Sequence, residues 1–258
     1  MHHRVLVVEH EADAGLGFFE GWLAAAGVTC DVVRPYLGED VPAAPGDGLI
    51  VLGGAASAWD DAGYPWQPAT RALLRTAVET SVPVLGICLG AQLLTMACGG
   101  VVERGTPGLE VGLRTVTMLP AATRDPLFGV LPPAPRAVQY HSDAMTVLPP
   151  GAVPMVTGAP YPAQGYRLGD LAWAVQFHPE ATPAIFTSWL ADPAPLTAAG
   201  YDPAALDAAV RAAAEELAAT WRPFAEAFAA VVTRARPRSQ PLAPLSIPCD
   251  HAITARNH

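Results

Sequence analysis

The chain has 258 residues, of which 51% are hydrophobic and 15% charged, a composition that suits one α/β domain or one domain with an appendage. All 15 basic residues are arginine, which excludes sites built on lysine, such as a lysine-dependent phosphate-binding loop or a Schiff base. The net charge of −9 without a basic stripe argues against nucleic acid as a partner.

The first hundred residues alternate between predicted strands and predicted helices. In chain order they are the strand RVLVVEH, the helix DAGLGFFEGWLAAAGV, the strands TCDVVRPY and GDGLIVLGG, the helix QPATRALLRTAVETS, the strand VPVLGI and the helix LGAQLLTMACGG. Gly27 is expected to end the first helix. This alternation is typical of a doubly wound, mostly parallel sheet.

The pattern changes between Val101 and about Gln176, where short strand-like segments are separated by Pro and Gly turns. These segments are LRTVTML, RAVQYHS, AMTVLPPGA and DLAWAVQF, and we expect mixed or antiparallel pairing among them. Helices follow at TPAIFTSWL and from Asp202 to Trp221, with Pro223 expected to break or restart the second. We therefore divide the chain into an α/β domain (1–190), a helical extension packed on it (191–236) and a Pro-rich irregular tail (237–258).

A cysteine stands between two glycines in Gly86-Ile87-Cys88-Leu89-Gly90, between a predicted strand and a predicted helix. This is the layout of a nucleophile elbow, a turn so tight that side chains at the flanking positions would clash. Such a turn aims Sγ at the cleft beyond the strand ends, and the positive end of the next helix favours a thiolate. Because free cysteine is also among the most buried residue types, a core thiol explains this stretch equally well.

A candidate base for the thiol lies in WAVQFHPE. The predicted strand ends at Phe177, and His178 and Glu180 are two residues apart in extended chain, so their side chains point to the same side. The carboxylate could then orient the imidazole as in a catalytic triad. Two solvated polar residues at a strand end are the alternative, and on this motif alone the more common one.

The remaining cysteines suggest no further chemistry. Cys30, Cys98 and Cys249 form no Cys-x-x-Cys pair and match no zinc spacing, so we expect no metal and no cofactor, and we expect Cys98 to be buried in a helix. No apolar run reaches the ~18 residues of a membrane span, and the N-terminus lacks the features of a signal peptide. We therefore expect a cytoplasmic protein with no membrane partner.

Together, GICLGAQLL and VQFHPE resemble the class I (triad-type) glutamine amidotransferases, which have these motifs in this order about 90 residues apart. LGGAASAWDD resembles the glycine-pair loop of that family, and YHSDAMTVLPPGA and YRLGDLAWAVQFHPE resemble a stand-alone subgroup similar to the amidotransferase domain of GMP synthase. The resemblance covers roughly residues 4–190. It implies a flavodoxin-like three-layer α/β sandwich with a mostly parallel central sheet, an additional mixed or antiparallel strand region, and C-terminal helices.

The resemblance also implies roles for individual residues. Cys88 would be the nucleophile, His178 the base and acid, and Glu180 the orienting carboxylate. The backbone N–H groups of Gly54 and Leu89 would form the oxyanion hole. The substrate-binding positions would be Gln92, Tyr140, His141 and Ser142, although a purely structural role explains His141 equally well. Relatives often have proline after the glycine pair, and Ala55 at this position suggests a looser oxyanion loop.

Three functions follow from this interpretation. The first is a glutaminase or amidotransferase that hydrolyses the side-chain amide of glutamine through a γ-glutamyl thioester on Cys88. It would release ammonia for an acceptor on a separate synthetase subunit, because the sequence holds no synthetase region of its own. The second is a γ-glutamyl peptidase that cleaves γ-glutamyl amines or peptides with the same triad. The third, which an intact triad supports poorly, is a non-catalytic binding module.

Overall fold

The computed structural model describes residues 3–235, and the predicted tail at 237–258 lies outside them. The strands of this part are β1 (His3–Val8), β2 (Val28–Val33), β3 (Gly48–Val51), β4 (Val84–Ile87), β5 (Val101–Arg104), β6 (Glu110–Thr115), β7 (Thr117–Met118), β8 (Arg136–His141), β9 (Asp143–Val147), β10 (Ala152–Thr157), β11 (Gly165–Leu168) and β12 (Ala172–Val175). The α-helices are α1 (Phe18–Ala25), α2 (Gln67–Glu79), α3 (Leu89–Ala97), α4 (Pro183–Trp189), α5 (Ala194–Ala198), α6 (Pro203–Ala212) and α7 (Ala214–Arg234).

Eight of these strands form one sheet in the order β2-β1-β3-β4-β12-β11-β10-β7. The first five strands in this order pair in parallel, and β11, β10 and β7 continue the sheet in antiparallel fashion. Two separate antiparallel pairs, β5 with β9 and β6 with β8, lie outside it. The structure confirms both the predicted doubly wound sheet and the change to antiparallel pairing after Val101.

The central sheet buries both of its faces, because successive side chains of a strand point in opposite directions. In β1, Val5 and Val7 belong to one hydrophobic core, and Leu6 and Val8 belong to the other. Residues of α1 and α7 complete the first core, and residues of α2 and α3 complete the second. The result is the three-layer arrangement expected from the sequence.

The expectation that Pro223 interrupts the C-terminal helix is wrong. The break lies at Ala213, between α6 and α7, and α7 continues through Pro223. A proline has no N–H to donate to the carbonyl four residues earlier, here that of Ala219, and typically costs a helix interior about 3 kcal/mol. Trp221 and Phe224 are completely buried in the first core, and each such side chain gains about 1.5–3 kcal/mol from burial. Packing therefore outweighs the local preference.

Three strands and one helix were not expected from the sequence. Strands β5 and β11 have only four residues each, β10 contains Pro154, which is unfavourable in a strand, and the five-residue helix α5 has too few turns for a periodic pattern. Cys98 follows α3 and is only half-buried, which corrects the expectation of a buried helix residue.

In the described residues, no helix is both long and apolar enough to cross a membrane. The division of the chain at residues 190 and 236 stays a prediction.

Replacing Pro223 by alanine should stabilise the protein, since alanine can restore the missing hydrogen bond in α7. We expect the free energy of unfolding to rise by up to about 3 kcal/mol, measured by urea denaturation. Pro203→Ala is the matched control, because Pro203 occupies the first turn of α6, where the N–H has no helical partner to lose. Equal stability changes in the two variants would contradict this account.

Candidate active site

Four parallel strands end at the same edge of the sheet, and the segments that follow them meet there. Cys88 follows β4, His178 lies three residues after β12, and Gly53 and Glu11 lie two and three residues after β3 and β1. These segments line a cavity of about 310 Å³. Ligands of open α/β sheets bind at this edge, so the cavity is the candidate site.

The turn between β4 and α3 holds Cys88 in a strained backbone conformation. Its φ of 51° is rare for a residue with a side chain, and such conformations cost on the order of 1–3 kcal/mol. A Cβ atom at Gly90 would lie 2.0 Å from the carbonyl oxygen of Val51, and one at Gly86 would lie 2.7 Å from that of Gly90. Only glycine fits at these two positions, as expected from the sequence.

The turn brings the sulfur of Cys88 to the cavity and places the start of α3 directly behind it. Cys88 is 6% exposed, and the accessible part faces the cavity. Leu89 is the first residue of α3, so its N–H has no partner within the helix. The partial positive charge at this helix end favours a negative charge on the sulfur.

His178 and Glu180 form a buried ion pair. Nδ1 of His178 lies 2.8 Å from Oε1 of Glu180, and the two residues are only 4% and 2% exposed. Burial alone would lower the pKa of His178. The negative charges of Glu180 and Cys88 and the hydrogen bonds to both outweigh burial and hold that pKa well above its usual value. The alternative of two solvated residues at a strand end is therefore excluded.

The backbone fixes this pair on both sides. The N–H of His178 donates to the carbonyl oxygen of Val138 in β8 at 2.8 Å. The carbonyl oxygen of Glu180 accepts from the N–H of Phe18, at the start of α1, at 2.9 Å. A Cβ atom at Gly17 would lie 2.2 Å from that same oxygen, so a glycine is needed for this contact.

Cys88 and His178 both lie close to Gly53. A Cβ atom placed on Gly53 would lie 2.8 Å from Cε1 of His178 and 3.6 Å from Cβ of Cys88. Both residues line the same cavity. The structure thus brings together the three residues that the sequence singled out as a possible triad, and the sulfur is not sealed in a core.

The loop after β3 carries Gly54, one of the two expected oxyanion donors, along the cavity wall. Its neighbour Ala55 donates its N–H to Oε1 of Glu11 at 2.7 Å, a bond that a proline could not make. Burial raises the pKa of Glu11; the bond from Ala55 opposes that rise, and Asp13 adds to it. The loop that we expected to be loose is therefore tied to the segment after β1.

Gln92, on α3, lines the cavity with its amide group fixed from behind. Its Nε2 donates to the carbonyl oxygen of Asp143 and to Oε1 of Gln176, at 3.2 Å in both cases. Because both N–H groups are used, Gln92 can offer only its Oε1 to a ligand.

The corner between β8 and β9 supplies the other expected substrate-binding residues, and all of them line the cavity. The carbonyl oxygen of Tyr140 lies 3.9 Å from Sγ of Cys88, and Ser142 follows at the corner. The ring of His141 is held internally, with Nδ1 2.9 Å from the carbonyl oxygen of Asp143 and Nε2 2.9 Å from Oε2 of Glu110. This favours the structural role for His141.

The sequence analysis missed several cavity residues, among them Glu11, Asp13, Arg104 and Trp189. Glu11 and Asp13 follow a predicted buried strand, and that position alone could have marked them. Arg104 ends the unpredicted strand β5, where its Nε lies 3.0 Å from Oδ1 of Asp143. Trp189 ends a predicted helix, and nothing in its spacing indicates that its ring packs 4.5 Å from that of His178.

Within residues 3–235, no group of three or more His, Cys, Asp or Glu side chains could hold a metal ion.

Comparison with known proteins finds a matching family and similar solved structures. The family model described as "Glutamine amidotransferase class-I" matches residues 21–192. A glutamine amidotransferase from Thermotoga maritima superimposes with a TM-score of 0.78 at 26% identity, covering 89% of this chain and 99% of that one. A glutamine amido transferase from Methylobacillus flagellatus gives a TM-score of 0.79 at 29% identity, covering 93% of this chain and 98% of that one.

Among curated proteins, a glutamine-hydrolyzing GMP synthase from Streptococcus pneumoniae is 34% identical over 142 residues, which is 54% of this chain. The aligned part is 25% of that protein, so the chain spans about a quarter of the length of this relative.

His10 lies beneath the glycine-pair loop, and its environment keeps it uncharged. The ring is completely buried; Nδ1 accepts from Nε1 of Trp66 at 2.8 Å, and Nε2 has no hydrogen-bond partner within the described residues. Burial lowers the pKa of His10 from 6.5 to about 3. Cβ of His10 lies 3.1 Å from the position that a Cβ atom on Gly54 would take, so His10 packs directly against the loop.

The stability of the protein should therefore fall as the pH drops below 6.5. The unfolded chain takes up a proton on His10 near pH 6.5, whereas the folded chain does so only near pH 3. Between these values the free energy of unfolding decreases by up to about 1.4 kcal/mol per pH unit. His10→Asn keeps an acceptor for Trp66 but does not titrate, so its urea-denaturation midpoint should fall less steeply between pH 6.5 and 5. The same substitution at the partly exposed His3 serves as control, and parallel curves for H10N and wild type would contradict the prediction.

Proposed function

The chain belongs to the class I glutamine amidotransferase family, and we propose that it hydrolyses the side-chain amide of glutamine through a γ-glutamyl thioester on Cys88. One observation carries this proposal: Cys88 and His178 line the same cavity, and His178 is paired with the buried Glu180. The similarity to a glutamine-hydrolyzing enzyme supports glutamine as the substrate.

The first step is attack of the thiolate on the side-chain carbonyl carbon of glutamine. Since the pKa of His178 is raised, its ring is an imidazolium at neutral pH and forms an ion pair with the thiolate. The C=O π electrons move to the carbonyl oxygen, which becomes negatively charged. We assign the backbone N–H groups of Gly54 and Leu89 as donors to this oxygen. Losing one such donor costs about 3 kcal/mol in a comparable hydrolase.

The intermediate then collapses to the thioester as the C–N bond breaks. The proton on Nε2 of His178 passes to the departing nitrogen, which leaves as ammonia. Glu180 holds the other ring nitrogen, which keeps the donor aimed at the leaving group. Water, deprotonated by the now neutral ring, attacks the thioester, and glutamate leaves as the thiolate and imidazolium are restored. Acid–base assistance of this kind is worth about 10²–10⁴-fold in rate.

The remaining cavity groups would bind the glutamyl part of the substrate. Oε1 of Gln92 can accept a hydrogen bond, and the corner at Tyr140 and Ser142 offers backbone and hydroxyl groups. The ammonia would be used by a separate synthetase, as expected from the sequence. A γ-glutamyl peptidase could use the same triad, but the relatives named above are amidotransferases, which supports the first function.

Purified protein should convert glutamine to glutamate and ammonia, and Cys88→Ala should lower that rate by more than about 10³-fold, because the nucleophile is lost. Both products are measured with coupled enzyme assays, and γ-glutamylglycine is assayed in parallel. Cys98→Ala, at the other end of α3, is the control and should keep full activity. Wild-type rates in C88A would contradict the mechanism, and cleavage of γ-glutamylglycine with glutamine inert would favour the peptidase.

The bond between Ala55 and Glu11 should matter for the rate rather than for substrate affinity, because it holds the loop that carries Gly54. Hydrogen bonds to charged groups are worth about 1.5–3 kcal/mol. We therefore expect Glu11→Ala to lower kcat for glutamine roughly tenfold with little change in KM. Glu11→Gln keeps an acceptor for the Ala55 N–H and should retain most of the activity. A rise in KM alone would instead place Glu11 in direct contact with the substrate.

A further inference from the structure

Gln176, two residues before His178, contacts the sulfur of Cys88 from within the protein and not from the cavity. Its side chain is completely buried, and it does not line the cavity. Nε2 of Gln176 lies 3.7 Å from Sγ of Cys88, and its Oε1 lies 3.2 Å from Nε2 of Gln92. This residue can therefore reach the sulfur but not the substrate.

The orientation of the two amide groups follows from the network itself. The carbonyl oxygen of Asp143 can only accept a hydrogen bond, so Gln92 must turn its NH₂ group toward it. The same nitrogen of Gln92 faces Gln176, so Gln176 must present its oxygen there. The NH₂ group of Gln176 is left to face the sulfur. A backbone carbonyl thus determines, through two side chains, that Cys88 receives a donor.

We propose that Gln176 is a catalytic residue that donates a hydrogen bond to the sulfur of Cys88 and favours its thiolate form, and that Gln92 is the positioning residue that orients it. The proposal rests on the proposed role of Cys88 as nucleophile. A thiolate is a much better acceptor than a thiol or a thioester sulfur, because hydrogen bonds to ionised groups are the stronger ones.

The donor therefore acts at two points of the reaction. It stabilises the resting thiolate, and it stabilises the same thiolate when it leaves during hydrolysis of the thioester. His178 supplies a charge on the cavity side of the sulfur, whereas Gln176 supplies a neutral donor from the protein interior. The two groups are not redundant, since the histidine gives up its proton during each cycle and the glutamine does not.

The test is the pH dependence of alkylation of Cys88 by iodoacetamide, followed by peptide mass spectrometry so that Cys30, Cys98 and Cys249 are counted separately. Gln176→Met keeps the length of the side chain and removes the donor. We expect the alkylation rate at pH 6 to fall roughly tenfold and the midpoint of the pH profile to rise by about one unit, with the plateau at high pH unchanged. A midpoint equal to that of wild type would overturn the proposal.

Gln139→Met is the matched control, because Gln139 is also completely buried but bonds to Gln164 instead of the sulfur. It should leave the midpoint unchanged, and an equal shift in this control would also overturn the proposal. If Q176M does not fold, Gln92→Met removes the orienting group and should shift the midpoint in the same direction by a smaller amount. An unchanged midpoint in Gln92→Met would contradict the proposed role of Gln92 in orienting Gln176.

Glutamine turnover by the same samples separates this proposal from the proposed function. A shifted midpoint in a protein whose wild type leaves glutamine intact would support the role of Gln176 and refute the glutaminase. Turnover of glutamine by the wild type, with no shift of the alkylation midpoint in Q176M, would support the glutaminase and refute the role of Gln176.

Discussion

The site depends on how closely the start of α3 approaches β3. The N–H of Gly90 donates to the carbonyl oxygen of Leu52 at 3.1 Å, and the gap to Val51 has no room for a side chain. This contact forces the sharp turn after β4, and the sharp turn forces the positive φ of Cys88. The backbone strain at the cysteine is thus offset by sheet and helix packing on both sides of it, and the sulfur has one available direction, toward the cavity.

The ring of His178 is held between two polar partners. The imidazolium of His178 lies between the carboxylate of Glu180 and the sulfur of Cys88, and all three groups are nearly shielded from solvent. A buried cation is costly unless it is paired, and the carboxylate of Glu180 is such a partner. In the mechanism that we propose, the sulfur of Cys88 is the second partner and also the reacting atom. The proton that the leaving group needs would then already lie beside it.

Much of this site is readable from the sequence because its signals are local. The glycine spacing around Cys88 and the two-residue spacing of His178 and Glu180 depend only on a turn and an extended strand. Arg104 and Gln176 could not be found this way, since their partners come from distant strands and only the sheet order brings them together. At Pro223 a local signal is misleading. Proline disfavours a helix interior, but the burial of aromatic residues on the same helix outweighs that cost.

The position of β12 in the sheet has a consequence for the newly made protein. Val175 of β12 lies opposite Ile87 of β4, yet Cys88 and Gln176 are separated by 88 residues of chain. At about 5–20 residues per second of synthesis, the cysteine leaves the ribosome roughly 4 to 18 seconds before β12 can dock beside it. During that interval neither His178 nor Gln176 can lie beside the sulfur. The contacts around Cys88 therefore form only after the last of the parallel strands has been made.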